Sequence, residues 1–294
     1  MSKDEKVKIL GICGSARHAN TEWAVKLALE TTKELGYVET EFVNLGDYKL
    51  VPCVGCMKCF GWQHPADAER PKCYKFEDDS EIIMTKMMES DGLIFGTPIY
   101  VLGVTGLARI LMEKTHMFGP MSFTKFSGRM RYKPIGVITV GGVDIAGQEV
   151  VAQDVWVWAQ GLGMLPVGSW PTRKDPNPQA SVHGGLVSTV DGKTIYGREA
   201  LSKEACRTTP PTQGSRNERA LRNVGRHVGV AAMTLKLGKK AFEEGKYNTP
   251  EIIPFTRYSV KPKKSSWIQY LIDQGKAEYV PTGGEELEDA EFRS

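Results

Sequence analysis

Short apolar runs that end in glycine or a turn alternate with stretches of helical spacing through the first 170 residues. "VKILGIC" (7–13) reads as a buried strand. "WAVKLALETTKELG" (23–36) has helical spacing and a stop signal at Gly36. "VETEFVNL" (38–45) alternates like a second strand, "DSEIIMTKMMES" (79–90) is a capped helix, and "DGLIFGTPIY" (91–100) is a third strand running into a loop. "GVTGLARILMEKTHMF" (103–118), "KPIGVITVGG" (133–142), "QEVVAQDVWVWAQGLG" (148–163) and "MLPVGSW" (164–170) continue as helix, strand, helix and strand. Such alternation predicts an α/β fold with a parallel sheet and helices on both faces. Five strands in this length predict a flavodoxin-like sheet rather than a dinucleotide-binding one with more strands. In such a sheet ligands sit at the carboxyl ends of the strands, and every glycine-rich turn here lies at one of those ends.

Beyond the alternation, residues 171–214 are rich in Pro, Gly, Ser and Thr and form a long excursion. A structureless segment of that size in a compact domain is either functional or covered by a partner chain. "RNERALRNVGRHVGVAAMTLKLGKKAFEEG" (216–245) is a long helix that closes the sheet. Residues 1–245 therefore form the main domain. Residues 246–294 form a C-terminal extension packing on it or on a partner subunit, with a short helix, "SSWIQYLIDQG", and an acidic end, "EELEDAEF". A net charge of +3 is too small to argue for nucleic acid or an anionic membrane. The start, "MSKDEKVKILGICGS", lacks a signal peptide's apolar stretch, and no window reaches the roughly 18 apolar residues of a membrane span. A cytoplasmic location is expected, where cysteine clusters are more often metal-binding or catalytic than disulfide-bonded.

Three strand-end loops carry the chemistry. Gly14-Ser-Ala-Arg-His-Ala-Asn-Thr21 joins the first strand to the first helix, where backbone N–H groups and the helix dipole suit a phosphate. Ser15, Asn20 and Thr21 add polar donors and Arg17 adds charge. The loop is neither a Walker loop nor a G-x-G-x-x-G fingerprint. Gly96-Thr-Pro-Ile-Tyr-Val-Leu-Gly103 follows the third strand, with Pro98 stiffening the turn and Tyr100 able to stack on or edge a planar ring. "TVGGVDIAGQE" (139–149) follows the fourth strand, with glycines that let backbone approach a flat ligand. One anion-binding loop and two loops shaped for a planar ring, converging on one crevice, describe a flavin mononucleotide (FMN) site.

Four of the six cysteines fall within 21 residues: Cys53, Cys56, Cys59 and Cys73. A disulfide knot, a zinc site, an iron–sulfur cluster and plain thiols are the alternatives. Structural zinc sites more often come as two separated C-x2-C pairs, which this is not.

"GSARHANT", "CVGCMKC…C…DD", "GTPIYVLGVTGLARILMEKT" and "GGVDIAGQE" resemble the NADPH-dependent FMN reductase superfamily, and within it the iron–sulfur flavoproteins, over about residues 7–170. The resemblance implies a flavodoxin-like fold, bound FMN, and homodimers or homotetramers with flavins at subunit interfaces. It implies that Ser15, Arg17, Asn20 and Thr21 hold the FMN phosphate, and that Thr97, Pro98, Ile99, Tyr100 and Gly103 border the isoalloxazine ring. Gly141, Gly142 and Gly147 lie near the ring from the third loop. By the same resemblance Cys53, Cys56, Cys59 and Cys73 ligate a four-iron four-sulfur cluster, although the thirteen residues between Cys59 and Cys73 exceed the family's gap. Thiolates at i, i+3 and i+6 reach three irons and a fourth cysteine completes the set. The implied function is an FMN-dependent oxidoreductase fed by NAD(P)H or a ferredoxin-like donor, with a quinone, aromatic or protein acceptor. The alternatives are a non-enzymatic electron carrier and a thiol or flavin redox sensor. Cys13 is expected to be a buried strand residue, and Trp156, Trp158 and the Met-rich "MTKMMES" packing residues. Arg219, Arg222 and Arg226 form a basic stripe expected on a solvated face or subunit contact.

Overall fold

The computed structural model describes residues 6–60, 68–120, 122, 124–142, 147–173, 184–188, 216–244, 278–281 and 290–293. Strands β1 (Val7–Cys13), β2 (Val38–Asn44), β3 (Gly92–Pro98), β4 (Pro134–Gly141) and β5 (Leu165–Val167) pair in parallel in the order β2-β1-β3-β4-β5. That order is the flavodoxin-like one, with its switch point between β1 and β3. Helices α1 (Asn20–Lys33), α2 (Ser80–Glu89), α3 (Gly106–Lys114) and α4 (Gln148–Gly161) are the crossovers, and α5 (Arg216–Glu243) is the long helix.

Strand alternation divides the core in two. Leu10, Ile12, Leu93, Phe95, Ile135 and Val137 point to the face packed by α2, α3 and α4 through Ile83, Met84, Met87, Leu111 and Val155. Ile9, Ile94, Ile138 and Val140 point to the other face, against Val25 and Ala28 of α1 and Leu221, Val224 and Val228 of α5. β3 and β4 are buried along their whole length, as strands covered on both faces must be. Trp158 packs against Phe95, ring centroids 5.5 Å apart, and its indole N–H donates to Thr115 Oγ1 at 2.9 Å. The tryptophans and Met84 and Met87 are therefore packing residues, as expected.

The basic stripe on α5 does something the sequence did not suggest. Arg222 and Arg226 pair with the two carboxylate oxygens of Glu34, which follows α1, at 3.3 and 3.1 Å. Two of its three arginines thus dock α5 on α1 within one chain.

The excursion also differs from expectation. Part of it, β6 (Gly185–Ser188), pairs in parallel with Ile138–Gly141, while β5 pairs with Pro134–Gly136. One side of β4 is therefore served by two short strands in succession, the second returning to the sheet beside the glycine-rich end of β4. In the extension, β7 (Glu278–Pro281) and β8 (Ala290–Arg293) form an antiparallel pair that includes part of the acidic end. The expected short helix at 265–275 lies outside the described residues. No described helix is long and apolar enough to cross a membrane.

Candidate functional site

Register brings the ends of the strands level. Cys13 lies beside Asn44 of β2 and Gly96 of β3, and Pro98 beside Val140 of β4. The loops that leave these ends are then tied together. The Gly14 N–H donates to Gly96 O at 2.7 Å, and Thr105 Oγ1 donates to Gly14 O at 2.5 Å while accepting the Ala108 N–H at the N-cap of α3. Leu102, at the tip of the second loop, lies against Gly147 of the third. The described residues of the three loops predicted from sequence thus lie together at the carboxyl ends of β1, β3 and β4.

The first loop has the chemistry of an anion cradle. α1 is preceded by Ala19, which has no side chain able to cap it, so the N-cap leaves the first-turn N–H groups of α1 without a side-chain acceptor. Such groups stay paired only if water or a ligand accepts from them, and the helix dipole favours an anion there. Ser15 is buried and its Oγ accepts the Arg17 N–H at 3.0 Å, which folds the loop back over itself. Arg17 is exposed and Asn20 half-buried, whereas Thr21 is buried at 4% exposure.

Asn44 and His18 complete this loop. Asn44 Oδ1 accepts the Gly46 N–H at 2.9 Å, and its amide donates to Glu22 Oε2 at 3.0 Å and reaches Arg17 O at 3.5 Å. His18 bridges Glu22 at 2.6 Å and Asp47 at 2.9 Å, and the Glu22 hydrogen bond, followed by the charges of Glu22 and Asp47, raises its pKa. Burial works to raise the Glu22 carboxyl, but hydrogen bonds from Lys26, Asn44 and His18 outweigh it and hold it below the usual range. Lys26, and His18 when protonated, thereby offset two carboxylates that would otherwise repel an anion.

The second loop is a tight turn. Tyr100 and Gly103 exchange both backbone hydrogen bonds at 3.0 Å around Val101 and Leu102, which have φ of 49° and 60°. Two consecutive non-glycine residues in the left-handed region, one of them β-branched, mark a strained turn held by its surroundings. Val101 is fully exposed, and Leu102 and Tyr100 largely so. Thr97 and Pro98 are fully buried in β3, and the Thr97 hydroxyl donates to Pro98 O at 3.0 Å. Only Ile99, Tyr100 and Gly103 of the predicted ring-bordering residues reach the surface. In the third loop Gly141 is buried, Gly142 exposed and Gly147 partly so, with φ of 85° at Gly147; 143–146 lie outside the described residues.

Cys53, Cys56, Cys59 and Cys73 line one recess, together with Phe76 and Lys114. The Gly55 N–H reaches Cys53 Sγ at 3.4 Å, and positive φ at Gly55 (65°) and Met57 (58°) curls the chain around the recess. Burial pushes the Cys59 thiol up to about 11, and the nearness of Cys73, Cys53 and Cys56 adds to the shift. The five described cysteines are free, and Cys13 is buried, its thiol pushed up to about 12 by that burial. Among the described residues no three His, Cys, Asp or Glu side chains converge closely enough to hold a single metal ion.

The ends of this cysteine loop are clamped by the paired aspartates. Asp78 accepts from the Val51 N–H at 2.8 Å and from Ser80 Oγ at 2.5 Å, while Asp79 accepts the Lys49 N–H at 2.7 Å. The stretch before Cys53 is thus pinned to the stretch after Cys73, and 61–67 within the gap lie outside the described residues.

Fold and strand-end loops together define a flavodoxin-like protein. The crystal structure of RosB with bound 8-demethyl-8-formylriboflavin-5'-phosphate shares this fold, with a TM-score of 0.52 at 16% identity over 87% of this chain and 93% of that one. The chain belongs to the NADPH-dependent FMN reductase family, whose model matches residues 7–175. An iron–sulfur flavoprotein of Methanocaldococcus jannaschii is 34% identical over 187 residues, covering 63% of this chain and 86% of that protein. One from Archaeoglobus fulgidus is 30% identical over 161 residues, covering 55% of this chain and 72% of that protein.

Proposed function

We infer that the chain is an FMN-dependent oxidoreductase that draws electrons from NAD(P)H or a ferredoxin-like donor. It delivers them to a quinone, an aromatic compound or a redox protein. FMN, when bound, supplies both hydride and single-electron chemistry. The uncapped start of α1, with Ser15, Arg17, Asn20 and Thr21, would hold the phosphate. The turn at Ile99–Gly103 and the glycines at 141, 142 and 147 would border the ring. The start of α1 offers an anion a set of backbone donors, because its N-cap residue has no capping side chain.

The observation that carries the redox assignment is the shared recess of the four thiols. Structural zinc sites more often use two separated C-x2-C pairs, and this spacing is a compact run of three cysteines with a fourth further on. A four-iron cluster distributes its thiolates over four metals and passes single electrons. α3 joins the two sites: its start is tied to Gly14 and its end, Lys114, lines the recess. Its nine residues span roughly 14 Å at the rise of an α-helix. A carrier that serves only a partner protein is the second reading, favoured by exposed Val54 and Met57 at the mouth of the recess. Exposed Val150 and Val157 on α4 support a homodimer or homotetramer.

The test is anaerobic purification followed by an absorption spectrum, metal analysis and turnover of NAD(P)H with a quinone. Flavin with about four irons per chain and steady turnover supports the whole assignment. Flavin with iron but reduction only by ferredoxin selects the carrier. Flavin without iron leaves a reductase whose cysteines are thiols, and no flavin refutes the three-loop site.

A further inference from the structure

Lys114, the last residue of α3, is an ammonium with 2% side-chain exposure beside Asp78 with 1%. Its Nζ lies 2.8 Å from Asp78 Oδ2, an ion pair by distance, yet it makes no aligned hydrogen bond among the described residues. The ammonium stands in the wall of the recess that the four cysteines line, facing Cys73 as well as Asp78. Asp78 also accepts from the Val51 N–H, the Ser80 N–H and Ser80 Oγ. A loop clamp alone needs only the aspartate. Burying a lysine costs free energy, which Asp78 offsets and a negatively charged thiolate centre in the recess would offset further.

We propose that Lys114 is the fixed counter-charge of the cysteine recess, held there by Asp78, and that it sets the reduction potential of the four-thiolate centre. The proposal rests on the cluster reading of Cys53, Cys56, Cys59 and Cys73. When such a centre takes up one electron no bond is made or broken, and its negative charge grows by one unit. A positive charge a few ångströms away in a site of low dielectric favours the reduced form. Net charge and hydrogen bonds around the sulfurs are the established levers on such potentials. Lys114 belongs to the helix that reaches the phosphate loop, so the charge is fixed by an element shared with the flavin site.

The experiment reconstitutes the full chain anaerobically with ferrous iron and sulfide. Iron per chain, thermal unfolding and the midpoint potential by dithionite titration are then measured for wild type, Lys114→Met and Lys114→Arg. Lys114→Met is expected to keep its iron and to shift to a more negative potential, with Lys114→Arg close to wild type. Removing the lysine alone leaves Asp78 buried without its partner, so the variant carrying both Asp78→Asn and Lys114→Met is the folded control. Its potential is also expected to fall, because Lys114 lines the recess and Asp78 does not. A folded, iron-loaded variant lacking Lys114 with the wild-type potential overturns the proposal and leaves the cluster reading standing. Wild-type protein that takes up no iron overturns both.

Discussion

Thr105 shows how one hydroxyl serves two elements. It caps α3 and donates to Gly14 O in the phosphate loop, while 3% exposed. Thr105→Ala removes the cap and leaves a loop carbonyl without its partner, and is expected to cost about 1–2 kcal/mol. Denaturant unfolding of the two proteins checks this, and FMN binding should weaken in the same variant. His18 gives a pH signature. Glu22 and Asp47 raise its pKa above the ordinary 6.5, so the stabilising charge is complete below that value. It is lost as the pH rises through the higher folded value. FMN affinity, read by quenching of flavin fluorescence, is expected to fall across that window in wild type. The fall should flatten in His18→Gln.

At the scale of elements, α5 and α1 meet closely enough to need a glycine. A methyl group added at Gly225 would lie 2.1 Å from Ala28 O of α1, closer than any atom pair tolerates, whereas at Gly238 nothing lies within 4 Å. Gly225→Ala is expected to destabilise by about 1–3 kcal/mol or more through overpacking. Gly238→Ala, in the same helix, should stabilise by about 0.5–1 kcal/mol. Opposite shifts in thermal unfolding would locate the α1–α5 contact, which the Arg222 and Arg226 pairs with Glu34 also serve.

For the whole molecule, a ligand that binds only the folded state stabilises it by mass action. FMN at a hundred times its Kd should add about 2.7 kcal/mol and raise the unfolding temperature. Riboflavin, which lacks the phosphate, should add less if the start of α1 is the anion site. We propose that the flavin-binding unit lies within residues 1–245. A chain ending at 245 is expected to keep its circular-dichroism spectrum and its FMN affinity. Loss of flavin on that truncation would assign the extension to the site.

Periodicity and punctuation determined much of this protein. Apolar runs capped by glycine set five strands and their order of use, and the loops between strand and helix could be read because ligands bind where such strands end. The spacing of Cys53, Cys56, Cys59 and Cys73 is equally local, so the thiol cluster was legible without a structure. Only the tertiary structure decided the rest. β6 was hidden in a Pro- and Gly-rich excursion because a four-residue strand carries little periodic signal, and its place is fixed by the free half of β4. That Thr97 and Pro98 are buried at the end of β3, and that only the turn beyond them is open, was visible only in the structure. Asn44, Thr105 and the Lys114–Asp78 pair act through partners 27, 91 and 36 positions away along the chain. Such contacts exist only once the parallel register brings distant segments level, and no short-range pattern encodes them.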